Sequence, residues 1–122
     1  MKKIILLLIL IPITIFASTR GKTMLAFDNS IAAASSISSK SMQIETYEDV
    51  ALHFVYPAGS TGTCNMEVSN DKVNWVEVSG SILALGDGND IINKANLGSK
   101  WIRSSCTASV NIANMKIYIG AK

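Results

Sequence analysis

The chain has 122 residues, of which 11 are Lys or Arg and 9 are Asp or Glu. Two of the basic residues, Lys2 and Lys3, stand at the extreme N-terminus, so the remainder of the chain has no net charge. Because no basic run is left to neutralise phosphates, the composition argues against nucleic-acid binding. The length allows one domain with its own core.

The N-terminal segment has the organisation of a secretory signal peptide. The two lysines precede an unbroken apolar run, Ile4–Phe16, and the small residue Ala17 follows at a plausible cleavage point. The run is shorter than the roughly 20 residues that a spanning helix needs, and Pro12 interrupts it. We therefore expect residues 1–17 to be a cleaved signal peptide. An uncleaved anchor is the alternative, and it is the only membrane contact that we expect.

The next segment, residues 18–39, is rich in Ser, Ala and Thr. We expect it to be a loose lead segment with one short strand at Met24–Phe27. The stretch Ile31–Ala34 fits either a second strand or a helical turn, and its pattern does not decide between them.

From residue 40 to the C-terminus the pattern is that of β-structure. Apolar and polar residues alternate over short runs that Gly, Pro, Asn and Asp separate. With the strand in the lead segment, this predicts about eight short strands and no amphipathic helix, which is typical of an antiparallel β-sandwich of jelly-roll type. The predicted strands are Ser41–Thr46, Ala51–Tyr56, Thr63–Ser69, Val73–Val78, Ser79–Leu85, Lys100–Ala108 and Ala113–Ile119.

The two cysteines, Cys64 and Cys106, both lie on the predicted core side of their strands. An even number of cysteines in an exported chain favours a disulfide, here between neighbouring strands or across the sandwich. Two buried free thiols are the alternative. A zinc site is not expected, because two cysteines and one distant histidine supply too few ligands.

The sequence contains no convincing catalytic constellation. His53 is the single histidine, and no serine or cysteine stands in a context that would make it a nucleophile for this base. The acidic residues Glu45, Glu48 and Asp49 lie close together, but at a strand end where carboxylates are usually solvated. We therefore expect a protein that is not an enzyme.

The loop before Ile91 carries a local motif of interest. Leu85–Asn93 matches one nine-residue repeat of calcium-binding β-helices except at its first position, and it would offer Asp87, Asn89 and Asp90 as ligands. Such sites are built by stacked repeats, and only one copy is present. The simpler interpretation is an acidic, Gly-rich loop without a metal, and no cofactor is expected.

Four aromatic residues are candidates for contact with a ligand: Trp75, Trp101, Tyr56 and Tyr118. Rings with an apolar face and a polar tip suit a carbohydrate or a protein partner. The alternative is that these rings belong to the core, as most aromatic residues of a small sandwich do.

Several segments together resemble a known group of proteins. They are CNMEVSNDKVNWVEVSGS (Cys64–Ser81), KWIRSSCTAS (Lys100–Ser109), MKIYIGAK (Met115–Lys122) and ALHFVYPAGSTGT (Ala51–Thr63). Their layout over residues 40–122 resembles small β-sandwich structural and decoration proteins of tailed-phage virions and prophages. Lys72 departs from the group's pattern, which has glycine there.

The resemblance implies a structural or decoration role, with no catalytic residues to carry over. The signal peptide is a second departure, since most virion proteins assemble in the cytoplasm. We therefore expect an exported, non-enzymatic structural or interaction module that is displayed on a cell surface or virus-like particle and binds a protein partner or itself. A carbohydrate-binding module is the alternative, with a glycan as partner. The expected location is the periplasm, the cell surface or the medium.

Intact-mass spectrometry of the native protein tests the export signal and the disulfide together. We expect a chain that begins at Ser18 and weighs two hydrogens less than its reduced form, because export leads to cleavage and to an oxidising compartment. A full-length, reduced chain in the membrane fraction would contradict both expectations.

Overall fold

The computed structural model describes residues 21–122, so the predicted signal peptide lies outside the described residues. This part of the chain is built of strands alone and holds no helix that is long and apolar enough to cross a membrane. Its ten strands are β1 (Lys22–Ile31), β2 (Ser36–Ser38), β3 (Met42–Gln43), β4 (Asp49–Val55), β5 (Gly62–Ser69), β6 (Val76–Glu77), β7 (Leu83–Ala84), β8 (Asn89–Ala95), β9 (Trp101–Ala108) and β10 (Ile112–Ala121).

The strands form two antiparallel sheets with jelly-roll connectivity. One sheet, called sheet A below, has the order β1-β10-β4-β8. In the other, sheet B, β9 and β5 are central, β2 and β3 pair with β9, and β6 and β7 pair with β5. If each short pair is counted as one interrupted strand, the two sheets contain eight strands in the order of two Greek keys. The predicted all-β sandwich of jelly-roll type is confirmed.

The core lies between the inner faces of the two sheets. In sheet A, β10 contributes Met115, Ile117 and Ile119, which are fully buried, as are Leu52 and Phe54 of β4. Burying one such side chain stabilises a fold by about 1.5–3 kcal/mol. The alternation of these residues with exposed ones is the reason that the segments form strands with one face in the core.

A disulfide joins the two central strands of sheet B. Cys64 of β5 and Cys106 of β9 are direct register partners, both are 1% exposed, and their sulfurs are bonded. Of the two predicted arrangements, the bond between neighbouring strands is therefore the observed one. The hydroxyl of buried Ser104 lies 3.7 Å from the sulfur of Cys106 and donates a hydrogen bond to the carbonyl of Asn65 at 3.0 Å.

The N-terminal segment is not the loose lead that the sequence predicted. Residues 22–31 form a ten-residue strand that pairs with β10, and β2 pairs with β9, so the sandwich begins before residue 40. Neither a second strand nor a helical turn covers the whole of Ile31–Ala34, because β1 ends at Ile31 and the next residues turn. The full length of β1 is not evident from the alternation of apolar and polar residues, because its C-terminal part contains Asp, Asn and Ser.

Other element boundaries also differ from the prediction, and the predicted strands Ser41–Thr46 and Ser79–Leu85 shorten to β3 and β7. Only Val76–Glu77 of the predicted strand Val73–Val78 pairs, because the preceding residues form a turn in which Asp71 accepts backbone hydrogen bonds from Val73 and Asn74. Lys72 has a φ of 62° there, which a continuing strand does not allow. Conversely, β8 extends through a stretch that its polar composition marks as a loop.

Removing the disulfide should lower the free energy of unfolding. The bond closes a loop with a sequence separation of 42. Without the bond the unfolded chain gains conformational entropy, which for a loop of that size lowers the free energy of unfolding by about 4 kcal/mol. We expect the double variant C64A/C106A to unfold at a lower urea concentration than the wild type, with a free energy of unfolding smaller by about that amount. Reductant should shift the wild-type curve and leave the variant unchanged. Coincident curves for wild type and variant would show that the bond contributes nothing.

Candidate interaction surfaces

The outer face of sheet A carries a row of large side chains that crosses all four strands. Register pairing places Leu25 of β1 beside Tyr118 of β10, Tyr118 beside His53 of β4, and His53 beside Ile91 of β8. Leu25 is 43% exposed and Ile91 is 55% exposed. We call these four residues the cross-strand row. The row thus places two exposed aliphatic side chains at its ends and the half-buried rings of Tyr118 and His53 between them, which makes it a candidate surface for contact with another molecule.

A groove runs beside the cross-strand row. The neighbouring register positions hold only small or short side chains, namely Thr23, Gly120, Ala51 and Asn93. This low floor leaves an open space of about 550 Å³, and Asp49, Lys94 and Lys122 also line it. The groove therefore offers a smooth floor with both signs of charge nearby.

The contacts of His53 within the cross-strand row hold its ring in place and do not make it a catalytic base. Its Nε2 is hydrogen-bonded to the amide oxygen of Asn89, and its ring lies 5.9 Å from that of Tyr118 in a tilted arrangement. A general base needs a nucleophile within hydrogen-bonding reach, and the bonded partner here is an amide. The acidic residues Glu45, Glu48 and Asp49 do not form a catalytic pair either. Glu45 accepts a hydrogen bond from Gln43, and the backbone N–H groups of Glu48 and Asp49 donate to the carbonyl of Lys122.

The outer face of sheet B carries a charged and aromatic cluster. Arg103 of β9 donates to Glu67 of β5 at 2.9 Å, and the same guanidinium lies 4.2 Å from the centre of the Trp75 ring. The ammonium group of Lys72 lies 3.7 Å above the ring of Trp101. Cation–π contacts of this kind contribute about 0.5–1 kcal/mol at exposed sites. They attach the turn that holds Lys72 and Trp75 to the surface of β9.

The four candidate aromatic residues do not meet on one platform. Trp75 and Trp101 share the outer face of sheet B, where each ring has a cation of the same chain against it. Tyr118 lies in the cross-strand row on the opposite side of the molecule. Tyr56 is only 5% exposed and belongs to the core.

The candidate calcium loop is held by hydrogen bonds within the protein. The Tyr56 hydroxyl donates to the carboxylate of Asp90 and accepts from the backbone N–H of Gly86 at 2.6 Å. The side chain of Asn89 is bonded to His53, and Asp87 is exposed in the loop. In residues 21–122 no group of three or more His, Cys, Asp or Glu side chains is placed to hold a metal ion. Two of the three candidate ligands thus serve to fasten the loop to β4.

The same loop shows why glycine is required at position 88. Gly88 has a φ of 89°, and a Cβ on it would lie 3.0 Å from the carbonyl oxygen of Tyr56. The loop therefore makes a tight turn against the residue that follows β4, which Gly88 permits.

The cross-strand row was not evident from the sequence. Its four residues are far apart along the chain, and Tyr118 and Ile91 each belong to segments whose other face supplies the core. A hydrophobic residue on the polar side of a strand, as Leu25 and Ile91 are, is the only local signal for it.

No protein-family model matches the chain, and no curated protein sequence matches it. Solved structures do share its fold. The PBSX exported protein XepA superposes with a TM-score of 0.65 at 10% identity, covering 82% of this chain and 36% of XepA. The SPBc2 prophage-derived protein YomS superposes with a TM-score of 0.55 at 8% identity, covering 84% of this chain and 95% of YomS.

At these identities the likeness shows a common fold. The expected resemblance to β-sandwich proteins encoded by phages and prophages is confirmed at that level. This chain spans about a third of the length of XepA, at 36%, and close to the whole of YomS.

The bond between Tyr56 and Asp90 should make stability depend on alkaline pH. Burial, and next the hydrogen bond to Asp90, raise the pKa of Tyr56 above its usual value. The folded state therefore holds this proton more tightly than the unfolded state, and stability is fully present below about pH 10 and declines above it. Tyr56→Phe should lower the free energy of unfolding at neutral pH by about 1–2 kcal/mol, and this difference should shrink as the pH rises above about 10.

Urea unfolding of both proteins at several pH values measures that difference. Tyr118→Phe, on the outer face of sheet A, controls for the removal of a phenol hydroxyl. A difference between wild type and Tyr56→Phe that stays constant up to alkaline pH would contradict the assignment.

Proposed function

We propose that this protein is an exported, non-enzymatic structural module that is displayed on a phage-related particle or a bacterial surface and is held there by protein contacts. The observation that carries the proposal is the cross-strand row. Its exposed Leu25 and Ile91 lie at the two ends of a row on a four-stranded face. Apolar side chains in such a position favour burial against a partner, since the water they release stabilises the complex.

Two features support export. The N-terminal segment has the order of a signal peptide, and the bond between Cys64 and Cys106 suits an oxidising compartment. XepA, about a third of which shares this fold, is itself an exported protein. Fold likeness alone does not transfer a function, so the surface and the compartment carry the argument.

The absence of enzymatic activity is supported by the arrangement of the titratable groups. His53 is bonded to an amide, Asp90 to a buried tyrosine, and Glu67 to Arg103. Each of these groups already has a partner within the protein that accounts for its position. None of these pairs aims a nucleophile and a base at a common point, which acid–base or nucleophilic catalysis requires.

A carbohydrate-binding role receives less support than a protein contact. The Lys72 and Arg103 cations lie against the faces of Trp101 and Trp75 that a sugar ring would need. Tyr118 remains on the opposite face, beside aliphatic side chains. Aliphatic and aromatic neighbours in one row suit a protein partner.

Substitution within the cross-strand row tests the proposal in the native host. Leu25→Asp should reduce the amount of protein recovered with particles or cell surfaces by roughly tenfold or more, because burying an unpaired carboxylate opposes the contact. Val110→Asp is the matched control, since Val110 is 44% exposed against 43% for Leu25 and lies in the loop between β9 and β10, outside the cross-strand row.

Fractionation of cells, medium and particles, followed by quantification of each variant, gives the result. A wild-type protein that is free in the medium would overturn the proposal. Equal losses for the two variants would show that the cross-strand row is not the contact surface.

A further inference from the structure

Strand β8 is the open edge of sheet A. It pairs with β4 over all seven of its residues without a bulge. The opposite edge, β1, is interrupted by two register shifts, and the carbonyl of Ala26 at the first of them accepts a hydrogen bond from Lys40. The edge strands of sheet B have only two or three residues each. Natural sheets protect their edges by bulges, short strands and inward-pointing charges, and of these β8 has only the charges of Asp90 and Lys94.

The hydrogen-bond pattern shows which backbone groups of β8 face outward. At one end the N–H of Tyr56 bonds to the carbonyl of its register partner Gly88, and at the other the N–H of Asn96 bonds to the carbonyl of Glu48. Because direction alternates along a strand, residues 90, 92 and 94 direct their backbone groups to β4. Residues 89, 91, 93 and 95 direct theirs away from the sheet, and within residues 21–122 no backbone partner meets them.

We propose that β8 pairs with β8 of a second copy of this chain, antiparallel and centred on Ile92, to form one continuous eight-stranded sheet. The inference rests on the proposed function and names the first contact of the assembly. In this register Ile91 pairs with Asn93 of the second copy and Asn89 with Ala95, so all four outward-facing residues form hydrogen bonds.

The sequence of β8 is complementary to itself in this register. Asp90 stands opposite Lys94 of the second copy, and by symmetry Lys94 stands opposite Asp90. These residues occupy the positions between the hydrogen-bonded pairs, where side chains on neighbouring strands come closest. Both are half-buried on the inner side of the edge, and Asp90 keeps one carboxylate oxygen for this contact while the other accepts from Tyr56.

Other registers and other occupants fit less well. Centring the pair on Ile91 or on Asn93 leaves one outward-facing residue of β8 without a partner and separates the opposite charges. A strand of unrelated sequence would use the same backbone groups but would not explain the placement of Asp90 and Lys94. The two copies would then present their cross-strand rows on one extended outer face.

A proline substitution at the outward-facing residue Asn93 tests the pairing. Asn93→Pro removes an N–H that has no role in the bond to β4, so the fold should remain intact. We expect its dimer to dissociate at a concentration at least tenfold higher than that of the wild type, whereas Asn93→Ala, which keeps the N–H, should not change the dimer. Lys94→Glu should weaken the dimer and Lys94→Arg should preserve it. Sedimentation velocity over a range of concentrations measures all five proteins, with thermal unfolding as the check on the fold.

Amide hydrogen exchange gives a signature that other dimers lack. In the dimer, exchange should be slow at residues 89, 91, 93 and 95 and should become fast on dilution, while residues 90, 92 and 94 stay protected throughout.

A wild-type protein that is monomeric at millimolar concentration overturns the inference. A self-associated protein whose outward amides exchange fast, or that Asn93→Pro leaves unchanged, also overturns it and leaves the proposed surface role standing. A β8 dimer that is absent from particles and surfaces would overturn the role alone.

Discussion

The pairing of the C-terminal strand β10 between β1 and β4 is the interaction on which the rest of this structure depends. It joins the beginning of the described chain to its end and places fully buried Met115, Ile117 and Ile119 at the centre of the core. Contacts this distant in sequence must overcome a large loss of chain entropy before burial compensates for it. The cross-strand row exists only because β10 lies in this position, since Tyr118 links the residue of β1 to those of β4 and β8.

The two outer faces of the sandwich have different physical characters. Sheet B bonds its two central strands covalently through Cys64 and Cys106 and covers its outer face with an ion pair and two cation–π contacts within the chain. Sheet A leaves Leu25, Ile91 and one complete strand edge open to solvent, whereas the exposed aliphatic residues of sheet B, namely Val73, Val76 and Ile82, belong to its short edge strands and the turns beside them.

The alternation of polar and apolar residues predicted the central strands β4, β5, β9 and β10 well, because each has one face in the core and one in solvent. The edge strands β1 and β8 were harder to predict, since an edge strand needs less burial and is rich in Ser, Asn and Asp here. The turn around Lys72 delayed the start of the predicted strand Val73–Val78 to Val76, because side-chain oxygens accept hydrogen bonds from the backbone N–H groups that a ladder would have used.

By itself the sequence determined the all-β class, which follows from local periodicity, and it favoured a bond between the two cysteines, which are the two thiols of a chain with an export signal. The tertiary structure alone decided which strands are neighbours and in what register. Register selects the residues that lie side by side on an outer face, and it separated the four candidate aromatic residues while bringing Leu25, Tyr118, His53 and Ile91 into one row. No local pattern contains that information, because hydrogen-bonded partners in a jelly roll come from distant parts of the chain.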